Sequence, residues 1–414
     1  MEGYAITAPG SFSRLPPLVG TFHALHAASE QGLIPPPGFI STSSASGIAA
    51  SVAIQRSEEK FVEIEELLIN LRKSQFANLN PEIRNKGILT IAATLGLLFP
   101  THAIENKYLR TAARVGVSSF AFWAQREFIK DLFQAESFFR YDKLVNLLLD
   151  KLDFEAIFSS PIKIEIPAVN LNKSGWTLDE ILSKPPLYLD GWHNKGWVSV
   201  TNFRPKDVDL PKDIRNRRFV EGIVNGTRLP YFNPGRTNDG DYVVDTAFLS
   251  NVPIHFALNQ GYSKIVIPYY NSSVEATTDA QLDNWIKITN RSLDTSISES
   301  TRKAMLGYLR VNNDLGHLAK QKEGLKRLEG LLGHQSLDEE TKIEIWRYIQ
   351  EMRMLLDSLS YSNKKQIEFL FINSRPLPRI HFSEFTKDKI IEGINIGWES
   401  GWEAVPKIAK MLES

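Results

Sequence analysis

The first fifty residues carry a strand, turn and helix unit twice over. Tyr4-Ala-Ile-Thr7 is a short apolar run that reads as a strand, Pro9 and Gly10 mark a turn, and a helical pattern extends from about Leu18 to Gln31. Pro35-Pro-Pro-Gly38 stops that helix and leads into a second short strand, followed by a helix from about Ser44. Parallel neighbours in a sheet need a crossover that a hairpin cannot supply, and a helix between two strands is the usual one. The opening therefore predicts an α/β fold with a central, mainly parallel sheet.

Later segments extend this plan. From about Ser57 to Leu152 the pattern is helical throughout, with Phe61, Ile64, Leu67, Leu68 and Leu71 at helical spacing, so 57–150 reads as a helical cap or insertion. Strand signals return at Pro161–Val169, Trp197–Val200, Tyr242–Val244 and Ile265–Pro268. The stretch 281–360 is helical and charged, interrupted at Gly324 and Gly333. Ile367–Asn373 reads as one more buried strand, before a closing helix from about Lys387. The expectation is one domain over 1–414, with the cap and the 281–360 block as elaborations.

Composition excludes several functions. Lys+Arg (48) and Asp+Glu (48) cancel, which removes any bulk attraction to nucleic acid or anionic membranes. The absence of cysteine excludes disulfides, thiolate metal sites and a cysteine nucleophile. No phosphate-binding loop or metal-ligand spacing stands out, so no cofactor, no metal and no nucleic-acid partner are expected. The start lacks a secretory pattern and the longest apolar run, Gly87 to Phe99, is shorter than the roughly 20 residues that span a bilayer. These features predict a cytoplasmic protein with at most peripheral membrane contact. The apolar stretches Gly87–Phe99 and Val115–Trp123 read either as core or as surfaces that dock on lipid.

The chemically suggestive stretch is Phe39-Ile-Ser-Thr-Ser-Ser-Ala-Ser-Gly47, where a strand meets a helix through small residues. A nucleophile elbow needs this layout, because the nucleophile sits on a cramped turn whose neighbours two positions away must be small. Ser43, flanked by Ser41 and Ala45, suits that role; the stretch reads equally as a polar loop with a helix cap at Ser43 or Ser44. A serine nucleophile needs a base. His255 and His381 lie in apolar surroundings that suit packing, whereas Asp245 ends the strand Tyr242–Val244 just after the turn signal Asn238-Asp-Gly240. The tryptophans Trp176, Trp192 and Trp197 cluster near the middle strands and read as packing.

Together these segments resemble the patatin-like phospholipases. The elbow of that family is similar to Ser41-Thr-Ser-Ser-Ala-Ser46, and its Asp-Gly-Gly/Ala motif with a following Asn-x-Pro is similar to Asp245-Thr-Ala247 with Asn251-Val-Pro253. Weaker likenesses lie at Ile162–Asn172, Phe219–Pro234, Pro378–Phe385 and Gly393–Gly401. The resemblance implies a three-layer α/β fold and a serine acyl hydrolase of lipid or other carboxylic esters, using a Ser43-Asp245 dyad through an acyl-enzyme, without metal or cofactor. It implies an oxyanion site from backbone N–H groups at Gly10 and Ser11.

The departures from the family pattern carry their own expectation. The glycine-rich oxyanion loop is replaced by Ala8-Pro-Gly-Ser-Phe-Ser-Arg14, and the elbow and dyad glycines by Ser41, Ala45 and Thr246. A Cβ at a left-handed backbone position costs roughly 1 kcal/mol or more. A fold that has lost catalysis and binds lipid or a protein partner is therefore the second reading, and a Ser-His-Asp hydrolase using His255 the third.

Overall fold

The computed structural model describes residues 3–10, 14–70, 78–79, 139–173, 196–228, 235–237, 240–248, 250–270, 285–332, 338–358, 366–373 and 386–414. The strands are β1 (Ala5–Ala8), β2 (Phe39–Thr42), β3 (Asn78–Leu79), β4 (Phe139–Arg140), β5 (Lys163–Asn170), β6 (Trp197–Thr201), β7 (Gly235–Arg236), β8 (Tyr242–Val244), β9 (Lys264–Tyr269) and β10 (Glu368–Asn373). The helices are α1 (Leu15–Glu30), α2 (Ser46–Ala53), α3 (Glu58–Ile69), α4 (Asp142–Lys151), α5 (Phe154–Ser159), α6 (Pro205–Val208), α7 (Lys212–Asn225), α8 (Ile254–Asn259), α9 (Trp285–Leu331), α10 (Glu339–Ser358) and α11 (Lys387–Glu413).

The main sheet has the order β10-β9-β1-β2-β5-β8-β7, with β6 also paired to β5. From β10 to β5 all neighbours are parallel, while β6, β8 and β7 are antiparallel additions. The expected mainly parallel α/β fold is thus present. β1 lies at the centre and all four of its residues are buried, as a strand covered on both faces requires. Tyr4, Ile6, Ala8, Ile40 and Val266 face one core, shared with α1, α2, α3 and α11. Ala5, Phe39, Ile265 and Ile267 alternate to the other face, against α8 and the part of α9 that carries Met305 and Tyr308. Helix, sheet and helix make three layers.

Two details depart from the sequence expectation. The 57–152 stretch is not helical throughout, because Asn78–Leu79 pairs antiparallel with Phe139–Arg140; a two-residue ladder is too short to leave a period-2 pattern. Most of the cap, including both apolar stretches singled out above, lies outside the described residues, as do Gly333, Trp176, Trp192 and His381. Gly324 does not interrupt α9, which runs through it. A helical glycine costs about 1 kcal/mol relative to alanine, and the contacts of Leu318 and Leu325 with Ile349 and Leu356 of α10 outweigh it.

The pairing of α1 with α11 joins the two ends of the chain. Gly393, Gly397 and Gly401 recur every four residues, so they form one stripe on α11. This stripe meets Pro17, Thr21 and Ala24 of α1 at backbone distance: a Cβ on Gly397 would overlap the Pro17 carbonyl, and one on Gly401 would come within 3.1 Å of Thr21 O. Thr21 Oγ1 donates to Pro17 O and Gly397 O, both at 3.0 Å, so the contact is polar as well as close. We expect Gly397→Val to cost at least about 3 kcal/mol of stability, above the usual overpacking penalty because backbone cannot move aside; urea unfolding of the variant against wild type measures it.

His23 of α1 is clamped in the same layer. Its ring stacks on Phe61 at 4.8 Å and meets Trp398 edge-on at 4.7 Å. Nδ1 lies 2.8 Å from Glu65 and Nε2 2.7 Å from Glu58, so both nitrogens face carboxylates. Burial pushes its pKa down, but the hydrogen bonds and charges of Glu65 and Glu58 outweigh that and hold it above the ordinary value. A raised folded pKa stabilises the protein below the unfolded value, and the contribution fades as pH rises through the folded one. Unfolding free energy measured from pH 5 to 9 should contain a component that falls above about pH 6.5 and is missing in His23→Gln.

Candidate active site

The sheet delivers three segments to one place. β1 and β2 run in register, Thr7 opposite Ser41 and Ala8 opposite Thr42. Ser43 N–H continues that pairing by donating to Ala8 O at 3.0 Å. The chain then turns sharply at Ser44, whose φ is +56°, before α2 starts at Ser46. β8 runs antiparallel to β5, and Val244 pairs with Val169. Its end therefore brings Asp245 and Thr246 beside Pro167 of β5, level with the turn after β2, and Thr246 Oγ1 donates to Pro167 O.

The apex of the elbow is Ser44, one residue beyond Ser43. Among the described residues only Ser44 and Arg56 combine a side chain with positive φ, and a left-handed apex is what presents an elbow nucleophile. Ser43 is fully buried, and its Oγ has no hydrogen-bond partner in the structure. The register follows from the strand: with Ser41 and Thr42 held in the ladder and Ser43 tied to Ala8, the first residue free to turn is Ser44. Its neighbours two positions away are Thr42 and Ser46, rather than Ser41 and Ala45. Ser46 Oγ accepts Ser43 N–H at 3.0 Å and donates to Ala8 O at 3.2 Å and to Ser43 O, so it braces the turn from within. Ser41 Oγ is spent on Thr7 Oγ1 and Pro253 O, at 3.0 and 3.1 Å. Ala45, with φ −61°, is the residue that leads into α2.

The expected penalty for the replaced glycines is absent. Ser41, Ala45 and Thr246 do not occupy left-handed backbone, so a Cβ there brings no conformational strain. The strain is confined to Ser44.

Asp245 is 3% exposed. Its Oδ1 accepts Ala247 N–H at 2.8 Å, and its backbone N–H donates to Arg228 O at 2.7 Å, so one bond holds the carboxyl and the other the main chain that carries it. Burial pushes its pKa up to about 7, partly opposed by Ala247 N–H and by the Ser44 hydroxyl, which faces the carboxyl closely enough to favour its ionised form. Of the two sequence-predicted dyad members, Asp245 thus stands at the elbow, and the serine that meets it is Ser44.

Gly10 approaches the elbow from β1. A Cβ on it would come within 2.9 Å of Ser43 O and would crowd Ser44 Cβ as well, so only glycine fits. Its N–H, expected at the oxyanion, is instead engaged by Asn251, Oδ1 at 2.9 Å and O at 3.3 Å. Ser11 lies outside the described residues. Asn251, itself 1% exposed, therefore fastens the β1 loop to the segment that carries Asp245. The Asn-x-Pro spacing after Asp245 marked it in sequence, but only the fold shows what it holds. His255 is buried in aromatic packing, its ring 4.0 Å from Phe256 and 5.3 Å from Trp197.

Of the comparisons with known proteins, the family model agrees with this architecture. The model of the family described as patatin-like phospholipase matches residues 19–258, more than half of the chain. The crystal structure of VipD from Legionella pneumophila is similar at 12% identity and a TM-score of 0.37, covering 98% of this chain and 67% of that one; so distant a likeness carries no argument here. No curated protein matches. With the family model spanning β2, the elbow, the strand and loop of Asp245 and α8, the chain belongs to the patatin-like phospholipase family, a family of lipid acyl hydrolases.

Proposed function

We propose that the protein is a serine acyl hydrolase of lipid or other carboxylic esters, with Ser44 as nucleophile and Asp245 as its base. The observation that carries this reading is a single strained serine facing a buried carboxyl whose pKa lies near neutrality. Asp245 takes the hydroxyl proton as Ser44 Oγ attacks the ester carbonyl, and returns it to the leaving alcohol as the tetrahedral intermediate collapses. Water, deprotonated by the same carboxylate, then cleaves the acyl-enzyme and frees Ser44. The oxyanion forms over the amino end of α2, where the Ala45 N–H and the helix dipole meet developing negative charge.

We read the whole of 1–414 as one domain of this kind. In support, β10 pairs with β9 and α11 packs in the same core as α1, so late segments complete the sheet and layer that hold the elbow. The protein would act in the cytoplasm, meeting lipid peripherally.

Labelling by a fluorophosphonate probe tests the nucleophile. Labelling should be lost in Ser44→Ala and kept in Ser43→Ala; the reverse pattern would restore Ser43, and a folded wild type that stays unlabelled would favour a non-catalytic lipid-binding module. Because the base must be ionised and its pKa is raised to about 7, kcat/KM for a soluble ester should climb through about pH 7 and level off above it. Asp245→Asn should lower kcat by roughly 10²–10⁴-fold and abolish that rise. Asn251→Ala should lower kcat about tenfold or more through loss of the hold on Gly10.

A further inference from the structure

α9 and α10 pair with each other over a small core of their own. Ile345, Ile349, Met352 and Leu356 of α10 recur at alternating steps of four and three residues and pack with Leu315 and Leu318 of α9. That is the spacing of a seam between two paired helices. The same spacing recurs on the other side of α10, at Ile343, Arg347, Gln350 and Met354. With 3.6 residues per turn the two seams lie about 160° apart. One meets α9 and the other points away from it.

The outer seam is apolar at both ends and charged in the middle. Ile343 is 59% exposed and Met354 72%, and they are flanked by the exposed Trp346 and Leu355. A single exposed apolar residue is ordinary, but four along the outer side of one 20-residue helix make a patch of the kind that marks a contact surface. Between its ends stand Arg347 and Glu351, both exposed and neither with an ion-pair partner among the described residues.

These groups are laid out so that α10 complements itself. Two copies related by a two-fold axis lie antiparallel, and a pairing centred between Tyr348 and Ile349 sets Ile343 against Met354 and Arg347 against Gln350 of the other copy. Glu351 follows one residue on, a step of about 1.5 Å, which a guanidinium reaches. Symmetry makes each contact twice. An anionic lipid surface selects a helix rich in Lys and Arg, whereas α10 carries five carboxylates and three cations. The formal net charge of zero lets two copies approach without long-range repulsion. An unrelated partner gives no reason for apolar groups and opposite charges to hold mirrored places along one helix; a second copy does.

We propose that α10 is a self-association surface, on which two copies of this chain meet through an antiparallel pair of α10 helices, with Arg347 of each copy against Glu351 of the other. The contact is independent of Ser44 and Asp245, which lie on other elements.

Sedimentation equilibrium of the full chain tests it, loaded over roughly 1 to 200 μM to suit a contact smaller than a standard interface. The wild type should exchange between monomer and dimer. Arg347→Glu and Glu351→Arg should each raise the dissociation constant at least about tenfold, since each sets like charges together. An equal mixture of these two variants should associate again, because each supplies at both contacts the charge that the other needs. The double exchange, Arg347→Glu with Glu351→Arg in one chain, should associate without mixing. Circular dichroism of every variant should match the wild type, as both positions are exposed. A wild type that stays monomeric over this range would overturn the proposal, and vesicles of phosphatidylglycerol that capture such a monomer through α10 would assign the surface to lipid instead. Association retained by both single variants would overturn it as well, as would a mixture and a double exchange that both stay monomeric.

Discussion

The parallel register of β1 against β2 is the constraint on which the site depends. Ala8 stands opposite Thr42, and Ala8 O then accepts Ser43 N–H and receives the Ser46 hydroxyl. One carbonyl at the end of one central strand therefore decides where the next strand stops, which residue turns and where α2 begins. A slip of one residue would send each side chain of a strand to the opposite face. Here it would exchange the two cores as well as the residue at the apex, so packing on both sides of the sheet defends the position of Ser44.

Much of the architecture was legible in the amino-acid order. The doubled strand-turn-helix opening, the later strands and the closing helix are found close to where periodicity and Gly/Pro punctuation put them, because burial on one or two faces leaves a strong trace in apolar spacing. Asp245 was legible too, through its turn and the Asn-x-Pro spacing behind it. The register of the elbow was not. Four serines and a threonine occupy 41–46, and nothing in their side chains distinguishes a ladder position from an apex. The distinction lies in the partner strand 34 residues away, as the Thr7 and Ser41 contact shows. The strain expected from the lost glycines was misjudged for the same reason, since composition does not say which residue carries the positive φ.

The electrostatics of the site follow from enclosure. Asp245 is the carboxyl most removed from water beside the elbow, and its raised pKa means that the fold holds it at a cost that its hydrogen bonds only partly offset. On the proposed mechanism, that cost is what would make the carboxylate basic enough to receive a serine proton near neutrality. Ala247 N–H offsets part of it at the carboxyl, while Arg228 O anchors the main chain of Asp245. Asn251, meanwhile, holds the glycine that leaves space above Ser44. Rigidity and reactivity have a common source here.

The glycine stripe that joins α11 to α1 also sets the order in which the molecule can be completed during synthesis. The helix that flanks the elbow on the core side, formed by residues 15–30, finds its backbone-deep partner only at 387–413. A growing chain has therefore made the serine, the aspartate and nearly the whole sheet before the layer that holds them is closed. Such long-range closure slows folding, since the loop entropy is lost before the contact repays it. It also means that residues 387–413 must leave the ribosome before α1, and with it the layer beside Ser44, gains its partner.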